Sequence, residues 1–502
     1  MDTYNIMKTI VLGPPGTGKT HTLLNEVDKC LKQTDPNKIG YFSFTQKAAY
    51  EARDRAMKKF DYTEDDLPYF RTLHSLAFRR LGIKKENVMQ KRHYEDLGKK
   101  IDFPVDYMEY DDEEGGIFTT KSDYLRIIQL AKLRNITISQ QYDLQEHTQD
   151  VEYNKLKIIA NELASYKKQY GLIDFNDMIL DFVKSDASPK FDVVFIDEAQ
   201  DLSRMQWDMA KSIWNKTDDS YIAGDDEQAI FRWAGADVDS FIAQDGKFIR
   251  LMQSRRVPKR VHDIAMNIVN RISHRLPKKW KPRTVEGLLT RHPDFENIDM
   301  SQGEWLVLAR TRYMLNELED TLYQKGLFYK NKFKRSYEQD LYDAIINWEQ
   351  WRKGTPMNPD QITQIYSYMS PQHADRNQLL LMNKDAHYSL SDCKNKFGLS
   401  TDNVWYESLD QAPWRKVEYI RKMRSNGEQL NKTPRILLST IHGVKGGEAQ
   451  NVVLLTDLSR NTQKGYERYP DDENRLFYVG ATRTKEHLHI IEPKDVFKSY
   501  PI

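Results

Sequence analysis

Cysteine is nearly absent from this chain, whose 502 residues include only Cys30 and Cys393. The two stand far apart and make no metal-ligand spacing. That excludes a disulfide framework or a cysteine-built zinc site and points to a reducing interior. Long apolar runs are lacking as well. No segment approaches the roughly 18 uninterrupted apolar residues of a membrane span, and the start of the chain has no apolar signal core. A soluble intracellular protein with no membrane partner is therefore expected. An excess of either charge is the third absence: Lys and Arg total 75 against 74 for Asp and Glu, a formal net charge of +1. Without a global basic field, any nucleic acid must be gripped by local grooves. Internal repeats and low-complexity tracts are missing too.

Short apolar runs ending in small or polar residues are what the chain has instead. They fall at Ile39 to Thr45, Val193 to Asp197, Tyr221 to Asp225, Ile436 to Thr440 and Val452 to Leu455, with helix-like stretches such as Lys47 to Lys58 among them. This alternation predicts an α/β fold with parallel sheets covered on both faces. Functional residues then belong at the carboxyl ends of the strands. The strand signals form two groups, each interrupted by charged, helix-like text. We expect a first core at 1–84 and 166–260 with a helical insertion at 85–165. A second core is expected at 261–334 and 431–502, with a short insertion at 335–430. The acidic run Asp111-Asp112-Glu113-Glu114 reads as a solvated loop.

Directly after Thr9-Ile10-Val11-Leu12 comes Gly13-Pro14-Pro15-Gly16-Thr17-Gly18-Lys19-Thr20, a phosphate-cradling loop leaving a buried strand. Its glycines let backbone N–H groups turn toward phosphates, Lys19 reaches the β- and γ-phosphates, and the Thr20 hydroxyl holds Mg²⁺. His21 opens the following helix and is counted with the nucleotide site. The second carrier of chemistry is Phe191-Asp192-Val193-Val194-Phe195-Ile196-Asp197-Glu198. Asp197 is placed to hold Mg²⁺ through water, and Glu198 to position and deprotonate the attacking water. A bare Asp-Glu pair is usually an exposed loop charge. At the end of an apolar strand, in a chain with a phosphate loop, it is catalytic.

A third element follows the next strand, from Tyr221-Ile222-Ala223-Gly224-Asp225-Asp226-Glu227-Gln228 to Phe231-Arg232-Trp233-Ala234-Gly235-Ala236-Asp237. With it the chain resembles the UvrD/Rep/PcrA family of superfamily 1 DNA helicases. The resemblance takes in Phe44 to Ala49, Thr72 to Ser75, Asp174 to Asp177, Gln253 to Arg256, Thr440 to Glu448 and Glu473 to Arg483, in the family's order and spacing. It implies two RecA-like P-loop cores, ATP and Mg²⁺ as cofactors, and single-stranded or 3′-tailed duplex DNA as partner. Replication or repair proteins are implied as further partners. The location implied is cytoplasmic and nucleoid-associated, or the cytoplasm of an infected host for a viral chain. Carried over residue by residue, Gln228 touches the γ-phosphate and couples nucleotide to DNA. Arg256 and Arg483 match the two arginine fingers, and Glu448 matches a residue near the nucleotide. Phe44, Thr45, Thr72, His74, Trp233, Thr440 and His442 match positions lining the DNA groove, where aromatic faces stack on any base. Taken singly, Trp233 reads as core and His442 as a helix or turn residue; inside these motifs both read as DNA-facing.

The chain departs from the family pattern in four places. Residues 1–12 hold no Gln to read adenine. Arg255 stands where Tyr commonly stacks on the base, a role a guanidinium can also fill. Ala234 replaces a second Arg beside the Trp, and the second insertion is short. The cluster Lys278-Lys279-Trp280-Lys281-Pro282-Arg283 lies outside the motifs and reads as a solvated loop. The expected function is an ATP-driven motor stepping 3′-to-5′ on single-stranded DNA by opening and closing two cores. The alternatives are a translocase that strips proteins from DNA with weak unwinding, and a nucleotide-switched remodelling ATPase.

Overall fold

Strand β1 (Met7–Leu12) buries Ile10, Val11 and Leu12 in succession, which only a strand covered on both faces can do. Beside it in one six-stranded sheet lie β2 (Ile39–Ser43), β3 (Phe70–Thr72), β6 (Val193–Asp197), β7 (Asp219–Gly224) and β8 (Lys247–Arg250), in the order β3-β2-β6-β7-β1-β8. Every neighbouring pair is parallel. The register matches Leu12 with Gly224 and Ser43 with Asp197, so the carboxyl ends of β1, β2, β6 and β7 share one edge. Alternation assigns the faces. Val11, Tyr41 and Phe195 pack under the helix Lys19–Cys30, while Ile10, Phe42 and Ile196 pack under the helices Leu73–Arg80, Phe175–Lys184 and Arg204–Trp214.

The computed structural model describes residues 7–105, 107, 109–111, 117–144, 151–331 and 334–502. Of the acidic run, Asp111 ends a short strand β4 (Glu109–Asp111) that pairs antiparallel with β5 (Ile117–Thr119), and Asp112 to Glu114 lie outside the described residues. The helices Lys91–Lys100, Asp123–Leu133 and Tyr153–Tyr170 build an apolar cluster of their own on Leu97, Leu125 and Leu156. The strand β9 (Leu288–His292) follows.

By compactness the chain forms two units: Met1–Arg291 with Thr440–Ile502, and His292–Ser439. The second holds β10 (Trp305–Ala309), β11 (Tyr329–Lys330) and β12 (Ile436–Thr440) in the order β11-β12-β10. Its helices include Gln339–Arg352, where Trp348 and Trp351 are fully buried. Each indole N–H is satisfied by a backbone carbonyl, of Asn403 and Tyr388 respectively, at 3.0 Å. The segment returning to the first unit carries the parallel pair β13 (Ala449–Leu455) and β14 (Thr484–Ile491), with β9 beside β14. Between them the helix Pro470–Ala481 is buried from Glu473 to Ala481. The chain is thus α/β with two parallel-strand sheets, as the sequence predicts. Among the described residues no helix is long and apolar enough to cross a membrane.

Candidate active site and nucleic-acid groove

The loop after β1 bends back on itself at Gly16 and Gly18, whose φ values of 71° and 87° lie in the left-handed region. Gly13 is required for a different reason. A Cβ there would lie 2.1 Å from Lys19 Cγ, because the lysine stem runs across it and Lys19 Nζ donates to Gly13 O at 3.0 Å. Gly18 is the N-cap of the helix Lys19–Cys30 and has no side chain to cap it, so first-turn N–H groups face the loop as an anion cradle. Pro14 O accepts from Thr17 Oγ1, and Pro15 O from Ser254 Oγ at 2.8 Å. His21 is exposed on the first helical turn.

Asp197 ends β6 fully buried. Its Oδ2 accepts from Thr20 Oγ1 and from Tyr41 OH, each at 3.0 Å, and its Oδ1 accepts from the Glu198 N–H at 2.9 Å. Burial and then the neighbouring Glu198 push the Asp197 carboxyl up. Glu198 has a left-handed φ of 52°, a strain of about 1–3 kcal/mol for a non-glycine residue, and this turns its carboxylate back over the loop. Burial also opposes its ionisation, but Lys19, then Lys445, Gln200 and Arg483, outweigh burial and hold it ionised. Gln200 Nε2 donates to Glu198 Oε2 at 2.5 Å. Thr20 and Asp197 offer hard oxygens at hydrogen-bond separation, and among the described residues no group of three or more metal-ligating side chains exists that could hold an ion alone. That donor set suits Mg²⁺, which takes one or two protein oxygens and completes its shell with phosphate and water.

The returning segment supplies further cations, Lys445, Arg483 and Lys485. Arg483 Nη2 donates to Gln228 Oε1 at 2.8 Å, and Gln228 Nε2 donates to Asp225 Oδ2 at 2.6 Å. Burial, then repulsion from Arg256, brings the Arg483 guanidinium down to about 9. Arg256 donates to Glu448 Oε2 at 2.5 Å, and Glu448 also pairs with Lys485 at 2.8 Å. The Arg255 N–H donates to Gly16 O at 2.8 Å, and the residue is exposed. The fold therefore gathers Lys19, Thr20, Asp197, Glu198, Gln228, Arg256, Glu448 and Arg483 into one connected network. Sequence reading missed Lys445, which donates to Gln228 O at 3.0 Å and to Asp201. Burial, against the pull of Lys445, pushes the Asp201 carboxyl up to about 6. It also missed Tyr41 and Gln200. Lys445 lay inside a recognised motif; a tyrosine in the middle of an apolar strand carries no signal.

Of the groove positions, Phe44, Trp233 and His442 meet through Phe231, which no motif argument had singled out. Phe44 stacks on Phe231 at 6.0 Å, Phe231 lies 6.3 Å from His442, and His442 meets Trp233 edge-on at 5.7 Å. Phe231 is buried, whereas Trp233 is 47 % exposed. Lys445 Nζ lies 5.1 Å from the Phe231 ring centre, a cation–π contact. Thr45 and Thr72 cap helices, accepting from the Ala48 and Ser75 N–H groups at 3.3 Å, and Thr440 accepts from Gly443 N–H at 3.1 Å. His74 lies edge-on to Phe175, with burial bringing its pKa down to about 4. A cavity of about 1110 Å³ opens at Trp233, and Arg126, Arg134, Arg204, Arg232 and Arg468 line it.

The reading of Lys278 to Arg283 as a solvated loop is wrong at its first and third positions. Lys278 and Trp280 are buried. Lys278 Nζ lies 3.0 Å from Asp225 Oδ1 and also pairs with Asp226. Buried carboxylates need a buried counter-charge, and Lys278 provides it.

The chain matches the UvrD/REP helicase N-terminal domain over residues 4–249 and the UvrD-like helicase C-terminal domain over residues 435–491. Among curated proteins it is similar to the ATP-dependent DNA helicase PcrA of Bacillus subtilis, 24 % identical over 377 residues that cover 64 % of this chain and 48 % of the relative. It is also similar to the ATP-dependent DNA helicase Rep of Buchnera aphidicola, 26 % identical over 306 residues covering 54 % and 44 %. The chain spans about half the length of these relatives. With the phosphate loop, the Asp-Glu strand end and the returning arginine in one network, the chain belongs to the UvrD/Rep helicase family.

Proposed function

We propose that this chain hydrolyses ATP in response to single-stranded DNA and uses the cycle to move along the strand 3′-to-5′, as a helicase or translocase. One observation carries the reading. The stretch from Gln228 to Trp233 touches both ends of the problem: its first residue is held by Arg483 and Lys445, and its last residues form the aromatic cluster. A strand stacking on Trp233 and His442 would shift the backbone that orients Gln228. Nucleotide and DNA states would then be read by one short segment.

Within the nucleotide site, Glu198 takes the proton of the attacking water as its oxygen bonds to the γ-phosphorus and the bond to the bridging oxygen of ADP breaks. Lys19, Arg256 and Arg483 balance the charge spread over the transferring phosphoryl. Thr20 and Asp197 would hold Mg²⁺, which would supply Lewis-acid neutralisation of charge on the phosphate oxygens. Arg256 on Glu448 and Lys445 on Asp201 are parked on internal carboxylates, and a triphosphate offers the stronger anion. Release from these partners is how binding would drive closure of two RecA-like cores, taken as 1–84 with 166–260 and 261–334 with 431–502. Phe44, Thr45, Thr72, His74, Trp233, Thr440 and His442 would line the strand, with the arginine-lined cavity beside Trp233 taking its phosphates.

The deciding experiment measures ATP turnover with and without oligo-dT, alongside displacement on 3′- and 5′-tailed duplexes. Strong stimulation with displacement of the 3′-tailed substrate alone is expected. Stimulation without displacement would favour a protein-stripping translocase, and a turnover rate indifferent to DNA would overturn the motor reading. Glu198→Gln is expected to lower turnover about 100-fold or more while nucleotide binding persists.

A further inference from the structure

Three consecutive acids, Asp225, Asp226 and Glu227, are buried to 1 % exposure or less at the start of the turn that ends in Gln228. Such a run is costly unless it is paired. Its partners come from one segment some fifty residues onward. Lys278 Nζ lies among all three carboxylates, 3.0 Å from Asp225 Oδ1 and 3.7 Å from Glu227 Oε2 and in contact with Asp226. Arg275 donates to Glu227 at 2.8 Å, and the Leu276 N–H to Asp226 at 2.9 Å.

The two oxygens of Asp225 face different side chains, and Oδ1 also accepts the Glu227 N–H at 3.3 Å. Oδ1 faces Lys278, and Oδ2 accepts the Gln228 amide N–H at 2.6 Å. Fixing the first oxygen fixes the plane of the carboxylate and so the side of Gln228 from which it is held. The Gln228 carbonyl oxygen is then turned to Arg483. The other end of the same segment is bound to the residues on either side of Arg256. Lys281 N–H donates to Met252 O at 2.6 Å, Ser254 N–H to Lys281 O at 2.9 Å, and Arg283 N–H to Val257 O at 2.8 Å. Ser254 in turn reaches Pro15 of the phosphate loop through its hydroxyl. Between these ends Trp280 is anchored by His262, whose Nε2 donates to Trp280 O at 3.1 Å while the rings meet edge-on at 4.4 Å.

We propose that Lys278 is a positioning residue for ATP hydrolysis: through Asp225 it sets the Gln228 amide, and through its own segment it ties that amide to the stretch bearing Arg256. It touches no substrate atom. The proposal rests on the ATPase reading above and adds to it a rigid strap, residues 276–283, joining the DNA-side turn to the finger.

The test is a double-mutant cycle on DNA-stimulated turnover. Lys278→Met is expected to lower kcat about tenfold or more while KM for ATP stays within about threefold, since a transition-state contact and not ground-state binding is lost. Lys278→Arg is expected to restore most of the rate. Combined with Gln228→Ala, the double variant should be no slower than Gln228→Ala alone, because both changes remove one interaction. Should Lys278→Met fold poorly by thermal melt, the charge-balanced pair Lys278→Met with Asp226→Asn carries the same comparison. Losses that multiply in the cycle, or unchanged kcat in a folded Lys278 variant, overturn the positioning role. Absence of ATP turnover in the parent chain would instead overturn the function on which the proposal rests.

Discussion

A guanidinium assists phosphoryl transfer only if it can leave the partner that holds it beforehand. On the proposed function Arg256 would have to leave Glu448, a partly exposed carboxylate shared with Lys485, whereas Arg483 is buried and donates to the neutral Gln228 amide. Arg483→Ala is therefore expected to lower kcat about 10³-fold or more, read in single-turnover ATP hydrolysis, with little change in nucleotide affinity. His74 gives a prediction in pH. Its folded pKa lies near 4, below the ordinary 6.5, because burial disfavours the charged ring. Between those values the unfolded chain binds a proton that the folded chain refuses, so the contribution of His74 is full above pH 6.5 and is lost as pH falls toward 4. Replacing His74 with Phe should recover up to about 2–3 kcal/mol of the acid loss, seen as a smaller drop in Tm between pH 7 and 4.5. Residues of this kind were legible to different degrees. Lys19, Asp197 and Glu198 announced themselves because the chemistry proposed for them requires a strand end. Lys445, Tyr41 and Gln200 did not, since their roles depend on partners that only the fold brings near.

At the level of elements, the strand ends are the part that apolar runs specify well, because burial on both faces leaves no polar position until the edge is reached. Lys278 to Arg283 is the counter-example. Charge content predicts solvent, and nothing local reveals that Asp225, Asp226 and Glu227 lie buried across the fold waiting for a cation. Phe231 and Trp233 sit two residues apart in one turn yet should respond oppositely to truncation. Phe231→Ala removes a buried ring between Phe44 and His442 and is expected to cost about 3–5 kcal/mol of stability, measured by urea melts. Trp233→Ala should leave the melt nearly unchanged and weaken oligo-dT binding by about 1–3 kcal/mol, measured by fluorescence anisotropy. If Trp233→Ala binds DNA as the parent does, the stacking assignment fails.

For the molecule as a whole, the larger unit is discontinuous in sequence, since residues 292–439 intervene between its two parts. Lys445, Glu448 and Arg483 all belong to the second part. A chain truncated after residue 439 is expected to lose DNA-stimulated turnover entirely, and residues 440–502 supplied as a separate polypeptide would restore it only by docking the helix Pro470–Ala481. Arg475 on that helix donates from Nε to Asp226 O at 2.9 Å and from Nη2 to His274 O at 2.6 Å, so the same helix also completes the backbone hydrogen bonds of the acidic turn. The order of synthesis follows from this arrangement. On the ribosome, the phosphate loop and the Asp-Glu strand emerge hundreds of residues before Arg483 does. On the proposed function, a nascent chain would cradle a nucleotide long before it could split one, and turnover would wait until Arg483 had been made.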